Sequence, residues 1–508
     1  MIRTRYAPSP TGSMHIGNLR TALFEYLVAK SQGGTFIMRL EDTDTARYVP
    51  GAEQIIYDTL KTAGLKYDEG PGVGGDYGPY VQSRRKTDYL VYAEELVKRG
   101  GAYYCFCDKE RLAKLHETSA DGAAKYDRFC LSFSKEEVAA NLAAGKKYVI
   151  RQLIPEGQTT FTDLVYGDIT VDNSEMEDQI LIKSDLLPTY NFANVVDDHL
   201  MKITHVVRGS EYLSSTPKYN LLYEALGWEI PQYIHLPLIV NENGEKLAKR
   251  KGDMSFEQLV KIGFLPEAII NFIALLGWSP QDNREILSLQ ELTECFNIKG
   301  LSKSPSKFDI KKLLWMNGEY FKKMPDGEFF EMAKSHIANA VKRKGIDAKK
   351  LAEMVKTRIE LLSDIPGLLD FIDELPNYDI SLFTHKKMKT DSQIAGDALN
   401  AVMDNIRKFT SWDNTSLYET LVEIAQDIGY KNSQVLWPVR TALSGKPTSP
   451  CGASELMELL GREETFARII NAMNLLGVNS INYVPSYKRV NDAASKDSVN
   501  VATGGANE

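Results

Sequence analysis

Two short strings carry side chains suited to holding a polyphosphate. Near the start, Tyr6-Ala7-Pro8-Ser9-Pro10-Thr11-Gly12-Ser13-Met14-His15-Ile16-Gly17-Asn18 runs from a strand through a proline-glycine-serine turn into a His-X-Gly step. A helix N-terminus placed there offers free N–H groups and a positive dipole end. Gly12 and Gly17 let the backbone approach a ligand, and His15 adds a donor. The second string, Asn243-Gly244-Glu245-Lys246-Leu247-Ala248-Lys249-Arg250-Lys251-Gly252, follows an apolar strand and sets Lys246 and Lys249 in a glycine-bounded loop. Two ammonium groups so spaced can share one polyphosphate. Alone, the first string is more often a structural turn and the second a basic surface loop. Together they are the two halves of an adenylate-forming site.

The elements that must position these strings follow from periodicity. Leu19, Ala22, Leu23, Tyr26 and Leu27 recur at the spacing of a buried helix face. A strand near 2–7, a helix near 17–31, a strand Thr35 to Leu40 and a helix near 51–63 form a βαβα pattern, which points to a parallel sheet. From about 86 to 190 the character changes to a helix near 86–99, a cysteine-bearing segment and strands Lys147–Ile154 and Thr160–Leu164. Alternation resumes with Ile203–Val207, the helix Thr216 to Leu226 and the strand His235–Val240. Helices dominate from about 255, with Pro266 in the first turn of one that runs to Leu276. Beyond about 325 the segments near 327–343, 348–364, 393–408, 415–427, 432–443, 453–461 and 463–475 read as helices, with no strand pattern.

Composition sets the class. At 508 residues the chain has room for two to four domains, and 43% hydrophobic with 25% charged residues is ordinary for a soluble globular protein. Met-Ile-Arg-Thr-Arg carries no signal-type apolar stretch, and no run approaches the ~18 apolar residues of a membrane span, so no membrane is expected. Cysteines at 105, 107, 130, 295 and 451 make no disulfide framework, which suits a reducing cytoplasm. The net charge of −8 argues against bulk electrostatic binding of nucleic acid, while clusters such as Lys342-Arg343-Lys344 leave room for local basic faces.

Ala7-Pro8-Ser9-Pro10-Thr11-Gly12, His15-Ile16-Gly17-Asn18 and Lys246-Leu247-Ala248-Lys249-Arg250 resemble the motifs of class I aminoacyl-tRNA synthetases, specifically the bacterial glutamyl-tRNA synthetase family. Arg39-Leu40-Glu41-Asp42-Thr43-Asp44, the stretch Tyr190 to Asp198, Arg208 to Pro217, Leu275-Leu276-Gly277-Trp278 and Trp437-Pro438-Val439-Arg440 continue the likeness in order, over nearly the whole chain except the tail. The resemblance implies an α/β Rossmann-like catalytic domain with a parallel sheet, an inserted α+β domain and an all-α C-terminal anticodon-binding half. The expected limits are 1–85 with 190–254 for catalysis, 86–189 for the acceptor-end insertion and 255–325 for stem contact. Residues 326–486 then form the helical anticodon region, in two subdomains, and 487–508 read as a disordered tail.

The activity implied is glutamate–tRNA ligation: ATP, with Mg2+, activates L-glutamate to the adenylate, which is transferred to the 3′-terminal adenosine of tRNA(Glu). By resemblance His15, Gly17, Lys246 and Lys249 are catalytic, and with Glu211 they hold ATP. Ala248 stands where the family usually has serine, which removes a hydroxyl and neither lysine. Arg5, Ala7, Ser9, Glu41, Tyr190, Asn194 and Arg208 match the glutamate-binding positions, the arginines for carboxylates and Glu41 for the ammonium. Arg440, Ser449 and Pro450 match residues that read anticodon bases, and Arg358 matches the arginine that reads the third base in glutamate-specific members.

Two further features call for other chemistry. Gly72-Val73-Gly74-Gly75 has Tyr77 where a dinucleotide fingerprint needs its third glycine, so it is a loop. Cys105, Cys107 and Cys130 resemble the zinc ligands of some family members, but Leu131 and Ser132 follow where a further ligand would stand. A structural zinc site takes four ligands; His116 or water could supply the fourth, and zinc stays open. The rival readings are a catalytically inactive tRNA-binding paralogue and a non-discriminating enzyme that also charges tRNA(Gln). A monomer is expected.

Overall fold

In the computed structural model, which describes residues 1–43, 48–117, 125–247 and 255–478, the chain divides into two units, Met1–Asn317 and Gly318–Glu508. The first unit begins β1 (Arg3–Tyr6), α1 (Ile16–Lys30), β2 (Thr35–Met38), α2 (Ala52–Thr62) and α3 (Lys86–Arg99). It continues with β3 (Ala102–Cys105), α4 (Lys109–Glu117), α5 (Lys135–Ala143), β4 (Val149–Gln152), β5 (Gln158–Asp163), β6 (Gly167–Asp172) and β7 (Ile180–Ile182). Then come α6 (Tyr190–Leu200), β8 (His205–Gly209), α7 (Thr216–Leu226), β9 (Gln232–Leu236) and β10 (Ile239–Val240). Helices α8 (Phe256–Ile262), α9 (Pro266–Ala274) and α10 (Leu289–Cys295), strand β11 (Ser306–Lys307) and helix α11 (Ile310–Lys323) follow.

β1 and β2 are parallel, with Arg5 opposite Ile37, and β8 and β9 are parallel, with Arg208 opposite His235. The two pairs meet where the Thr204 N–H donates to Arg3 O at 3.0 Å and the Arg3 N–H to Thr204 Oγ1 at 2.9 Å. β5 lies parallel to β9 at Asp163 and Tyr233 and turns back antiparallel as β6. The β5–β6 hairpin falls inside the segment expected to be an insertion, yet it extends the sheet of β8 and β9. Cys105, Cys107 and Cys130 sit apart, beside an antiparallel sheet in the order β3-β4-β7.

α1 is buried on more than the single face its apolar spacing predicts. Leu19, Ala22, Leu23 and Leu27 are buried, and so are Phe24, Val28 and Ala29, while Tyr26 is only half-buried. The reason is a second layer: the Phe24 ring stands 5.9 Å from Phe296 on one side, and Tyr26 stands 5.7 Å from Phe36 on the other. α7 has the predicted limits because Pro217 sits in its first turn and Gly227, at φ +67°, ends it.

The second unit is helical: α12 (Asp326–Ala340), α13 (Ala348–Lys356), α14 (Ile365–Leu369), α15 (Ser392–Asp404), α16 (Asn414–Asp427), α17 (Asn432–Ser444), α18 (Ala453–Leu460) and α19 (Arg462–Leu475). The helix expected over 348–364 stops at Lys356. Asp364 accepts the N–H groups of Glu360 (3.0 Å) and Leu361 (2.8 Å), and Pro366 then opens α14. No helix among the described residues is long and apolar enough to cross a membrane. The tail over 487–508 lies outside the described residues.

Buried charge ties the first unit together. Asp198 Oδ1 on α6 accepts from Arg5 Nε of β1 at 2.9 Å and from Arg39 Nη1, just past β2, at 2.7 Å. Arg39 also donates to Glu41 Oε1 at 3.0 Å, Arg5 to Glu25 Oε1 of α1 at 2.9 Å, and Arg85 Nε stands 2.8 Å from Asp197 Oδ1. Removing one partner of such a set leaves uncompensated buried charge. Arg39→Met is therefore expected to destabilise the protein by roughly 3–5 kcal/mol, read from the urea unfolding midpoint. Lys30→Met, which breaks the more exposed pair with Asp68, should cost less than about 1 kcal/mol.

Candidate active site

His15 is the N-cap residue of α1, and its Nδ1 accepts the Gly17 N–H at 3.0 Å. That bond puts the proton of the neutral ring on Nε2, as a donor at the helix mouth. At Gly17 a Cβ would stand 3.3 Å from the His15 ring nitrogen, a tight contact that the ring would have to relieve by a few tenths of an ångström.

The chain on either side of the lysine string is tied by backbone pairing. Val240 bridges Lys246 at one end, and His15 bridges Ser255 at the other, with the Phe256 N–H donating to Met14 O at 3.3 Å. Lys249, Ala248 and Arg250 lie outside the described residues, as does Asp44. Lys246 Nζ is 3.3 Å from Glu211 Oε1, and both side chains are exposed. Arg20, which the sequence reading missed, braces this corner from α1. It is buried and donates to Leu276 O at 3.1 Å and to Pro237 O, and burial pushes it down to about 10.

The chain beyond β1 runs beside the chain beyond β2, with the Arg39 N–H on Tyr6 O and the Glu41 N–H on Pro8 O, each at 2.9 Å. This sets half-buried Ala7 and Ser9 next to Glu41. Glu41 Oε2 is buried without a hydrogen-bond partner, and burial pushes the carboxyl up to about 7 against the pull of Arg39 and Arg5. Tyr190 opens α6 within electrostatic reach of Glu41, and its ring stands 6.2 Å from that of Tyr212. Buried Asn194 donates to Tyr190 O at 3.0 Å.

The two arginines of this group differ. Arg5 is paired with Asp198 and also donates to Glu25. Arg208 is 7% exposed, and among the described residues no carboxylate comes within ion-pairing distance of it. It donates to His235 Nε2 at 3.2 Å and Thr216 Oγ1 at 2.9 Å, over the rings of Tyr212, Tyr219 and Tyr233. A buried cation held by neutral groups is a receptor for an anion. A carboxylate with a bare oxygen at Glu41 suits an ammonium. Chemically, the arrangement suits a small zwitterion with an extra negative charge.

In the helical unit Arg440 is buried over the Trp437 ring at 4.1 Å, and burial pushes it down to about 10. It donates to Ser449 Oγ, Lys446 O and Pro447 O, each at 3.2 Å, so it shapes the loop that carries Ser449 and Pro450. Arg358 is exposed in the turn after α13, and its charge reaches buried Cys451 of that loop.

The Sγ atoms of Cys105, Cys107 and Cys130 lie within 4.8 Å of one another. Tyr126, another residue the sequence reading passed over, brings its hydroxyl to 3.4 Å from Cys105 Sγ and 3.3 Å from Cys107 Sγ. Cys105 is held below the ordinary thiol range, chiefly by its hydrogen bond with Cys130. Three thiols and a phenol are a donor set that fits zinc, whose ~2.3 Å bonds to sulfur space tetrahedral ligands by roughly 3.8 Å. The His116 side chain lies outside the described residues.

Residues 1–315 match the family of class I tRNA synthetases (E and Q), catalytic domain, and residues 328–473 match an anticodon-binding domain. A glutamate–tRNA ligase of Clostridium botulinum strain Eklund 17B is 56% identical over 480 residues, covering 94% of this chain and 99% of its own. One from Lachnoclostridium phytofermentans is 56% identical over 484 residues, with the same coverage. The crystal structure of a glutamate tRNA ligase from Elizabethkingia meningosepticum, in complex with its amino acid, is similar with a TM-score of 0.80 at 36% identity, covering 94% of this chain and 99% of that one.

The buried carboxyls give a test of the site's electrostatics. Burial pushes Glu25 up to about 8, from 4.5, against the pull of Arg5. The folded protein thus keeps a proton that the unfolded chain has released, so this contribution is full below about 4.5 and is lost as pH rises through about 8. The stability difference between the wild type and Glu25→Gln should fall between pH 5 and 8, by up to about 1.4 kcal/mol per pH unit, in urea unfolding. A flat difference would mean Glu25 is ionised throughout.

Proposed function

The chain belongs to the class I tRNA synthetases (E and Q), and we propose that it activates L-glutamate with ATP and transfers it to the 3′-terminal adenosine of tRNA(Glu). It is an aminoacyl-tRNA synthetase, and the inactive-paralogue reading is not favoured. The observation that carries the reading is the double anchoring of the lysine string: Lys246 bridges Val240, and Ser255 bridges His15 itself.

In this reaction the glutamate α-carboxylate attacks the α-phosphorus, the bond to the bridging oxygen breaks, and pyrophosphate leaves with the charge. His15 Nε2–H and the N-terminus of α1 meet the phosphates. Lys246 exchanges its contact with Glu211 for the leaving pyrophosphate, and Lys249 joins it. Catalysis by such groups is alignment and fixed positive charge rather than proton abstraction. Magnesium accompanying ATP would supply further neutralisation of phosphate charge. Glu41 takes the substrate ammonium, Arg208 takes a carboxylate, and Arg5, Ala7, Ser9, Tyr190 and Asn194 shape the pocket around them. The Arg440 loop and Arg358 serve the anticodon, the enzyme acting as a cytoplasmic monomer.

Aminoacylation with glutamate on purified tRNA(Glu) and tRNA(Gln) tests this directly. Charging of tRNA(Glu) alone is expected; charging of neither would sink the assignment, and equal charging of both would sink the discriminating role of Arg358. Because Lys246 is exposed, Lys246→Ala should fold normally and slow pyrophosphate exchange by about 100-fold or more, with the glutamate KM little changed. Equal losses in both would remove its phosphate role.

Cys105, Cys107, Cys130 and Tyr126 would hold one zinc ion, which organises the inserted segment. Native mass spectrometry should find one zinc per chain, and Tyr126→Phe should bind it at least about tenfold more weakly in a chelator competition. A metal-free wild type that unfolds at the same temperature with and without added zinc would exclude the site.

A further inference from the structure

Arg208 is held in an unusual way. Its Nε donates to His235 Nε2 at 3.2 Å, and His235 Nδ1 in turn lies 2.7 Å from Asp163 Oδ2. Asp163 is saturated: the same Oδ2 accepts the His235 backbone N–H at 3.0 Å, while Oδ1 accepts those of Val165 at 2.9 Å and Tyr166 at 2.8 Å. Asp163 and His235 are both fully buried. The three side chains come from neighbouring strands, β5, β9 and β8.

This geometry permits one tautomer. An arginine N–H can only donate, so His235 Nε2 must present a lone pair, and the ring proton must then sit on Nδ1, facing the carboxylate. Asp163 supplies the orientation while staying one imidazole away from the guanidinium. Thr216 completes the cradle: its hydroxyl donates to Tyr212 O at 2.9 Å, which leaves its lone pairs for Arg208 Nη2. An ionised carboxylate in place of His235 would pair with Arg208 and neutralise it, as Asp198 does for Arg5. The imidazole fixes the direction of the guanidinium and leaves its charge unspent.

We propose that His235, locked by Asp163, is the positioning residue that presents Arg208 as an unneutralised cation to the substrate carboxylate. This rests on the reading of Arg208 as a glutamate receptor, and it adds two residues that the motifs do not contain. The relay holds Arg208, so its effect falls on amino-acid binding.

Steady-state pyrophosphate exchange on the full-length enzyme, with its tRNA, separates the possibilities. Asp163→Asn lets an amide N–H face Nδ1, which drives the proton to Nε2 and turns a donor on Arg208. His235→Asn keeps a donor for Asp163 and loses the acceptor for Arg208. Both should raise the glutamate KM about tenfold or more, with the ATP KM within about twofold. His235→Gln, which can return an oxygen to Arg208, should recover most of the loss. Arg208→Ala is the reference for the underlying reading: if it leaves the glutamate KM unchanged, that reading fails and the proposal falls with it. If it raises the KM while Asp163→Asn and His235→Asn do not, the proposal alone is overturned. Losses spread equally over kcat and both KM values, without recovery in His235→Gln, would mark a merely structural role and overturn it too. In the wild type, 15N-histidine NMR at neutral pH should show His235 protonated at Nδ1 and bare at Nε2. The opposite tautomer would refute the relay whatever the variants do.

Discussion

Asp198 Oδ1 accepts hydrogen bonds from Arg5 and Arg39 at once, and around that shared oxygen the strands and α6 are held in one arrangement. The surrounding cluster sets three guanidiniums, Arg5, Arg39 and Arg85, against four carboxylates, Glu25, Glu41, Asp197 and Asp198. With one anion in excess and little water, a carboxyl must keep a proton or find another cation, and burial indeed raises Glu25 and Glu41. Arg208 carries the reverse imbalance. A substrate with an ammonium near Glu41 and a carboxylate at Arg208 would relieve both. The same burial that fixes the fold leaves the site short of charges that such a substrate would bring.

Much of this was legible in the residues. The strand and helix on either side of the His15 turn follow from apolar spacing, and the limits of α7 follow from Pro217 and Gly227. Most helices of the second unit fall within a few residues of their expected places. What escaped depends on pairing between distant segments. Nothing local in Thr160 to Leu164 says that β5 will lie against β9, so Asp163 could not be connected to His235 from spacing alone. Tyr126 was passed over because a tyrosine is an uncommon metal donor, and only folding brings its hydroxyl to the thiols.

The motif arginines show a related limit. Arg5, Arg208 and Arg440 look alike in sequence, as basic residues in recognisable strings. Their surroundings divide them: Arg5 is paired with two carboxylates, Arg208 rests on neutral acceptors, and Arg440 is spent on loop carbonyls. Residue type therefore narrows the chemistry to anion binding, and partners decide which cation is free to do it.

The bridges at Lys246 and Ser255 also have a statistical meaning. Lys249 is three residues from one anchor and six from the other, so at ~3.5 Å per residue it cannot stray beyond about 11 Å from the first or about 21 Å from the second. An ammonium confined to such a volume has an effective concentration in the millimolar range or above near the His15 corner. Most of the translational entropy of bringing that charge to a ligand has been given up in folding.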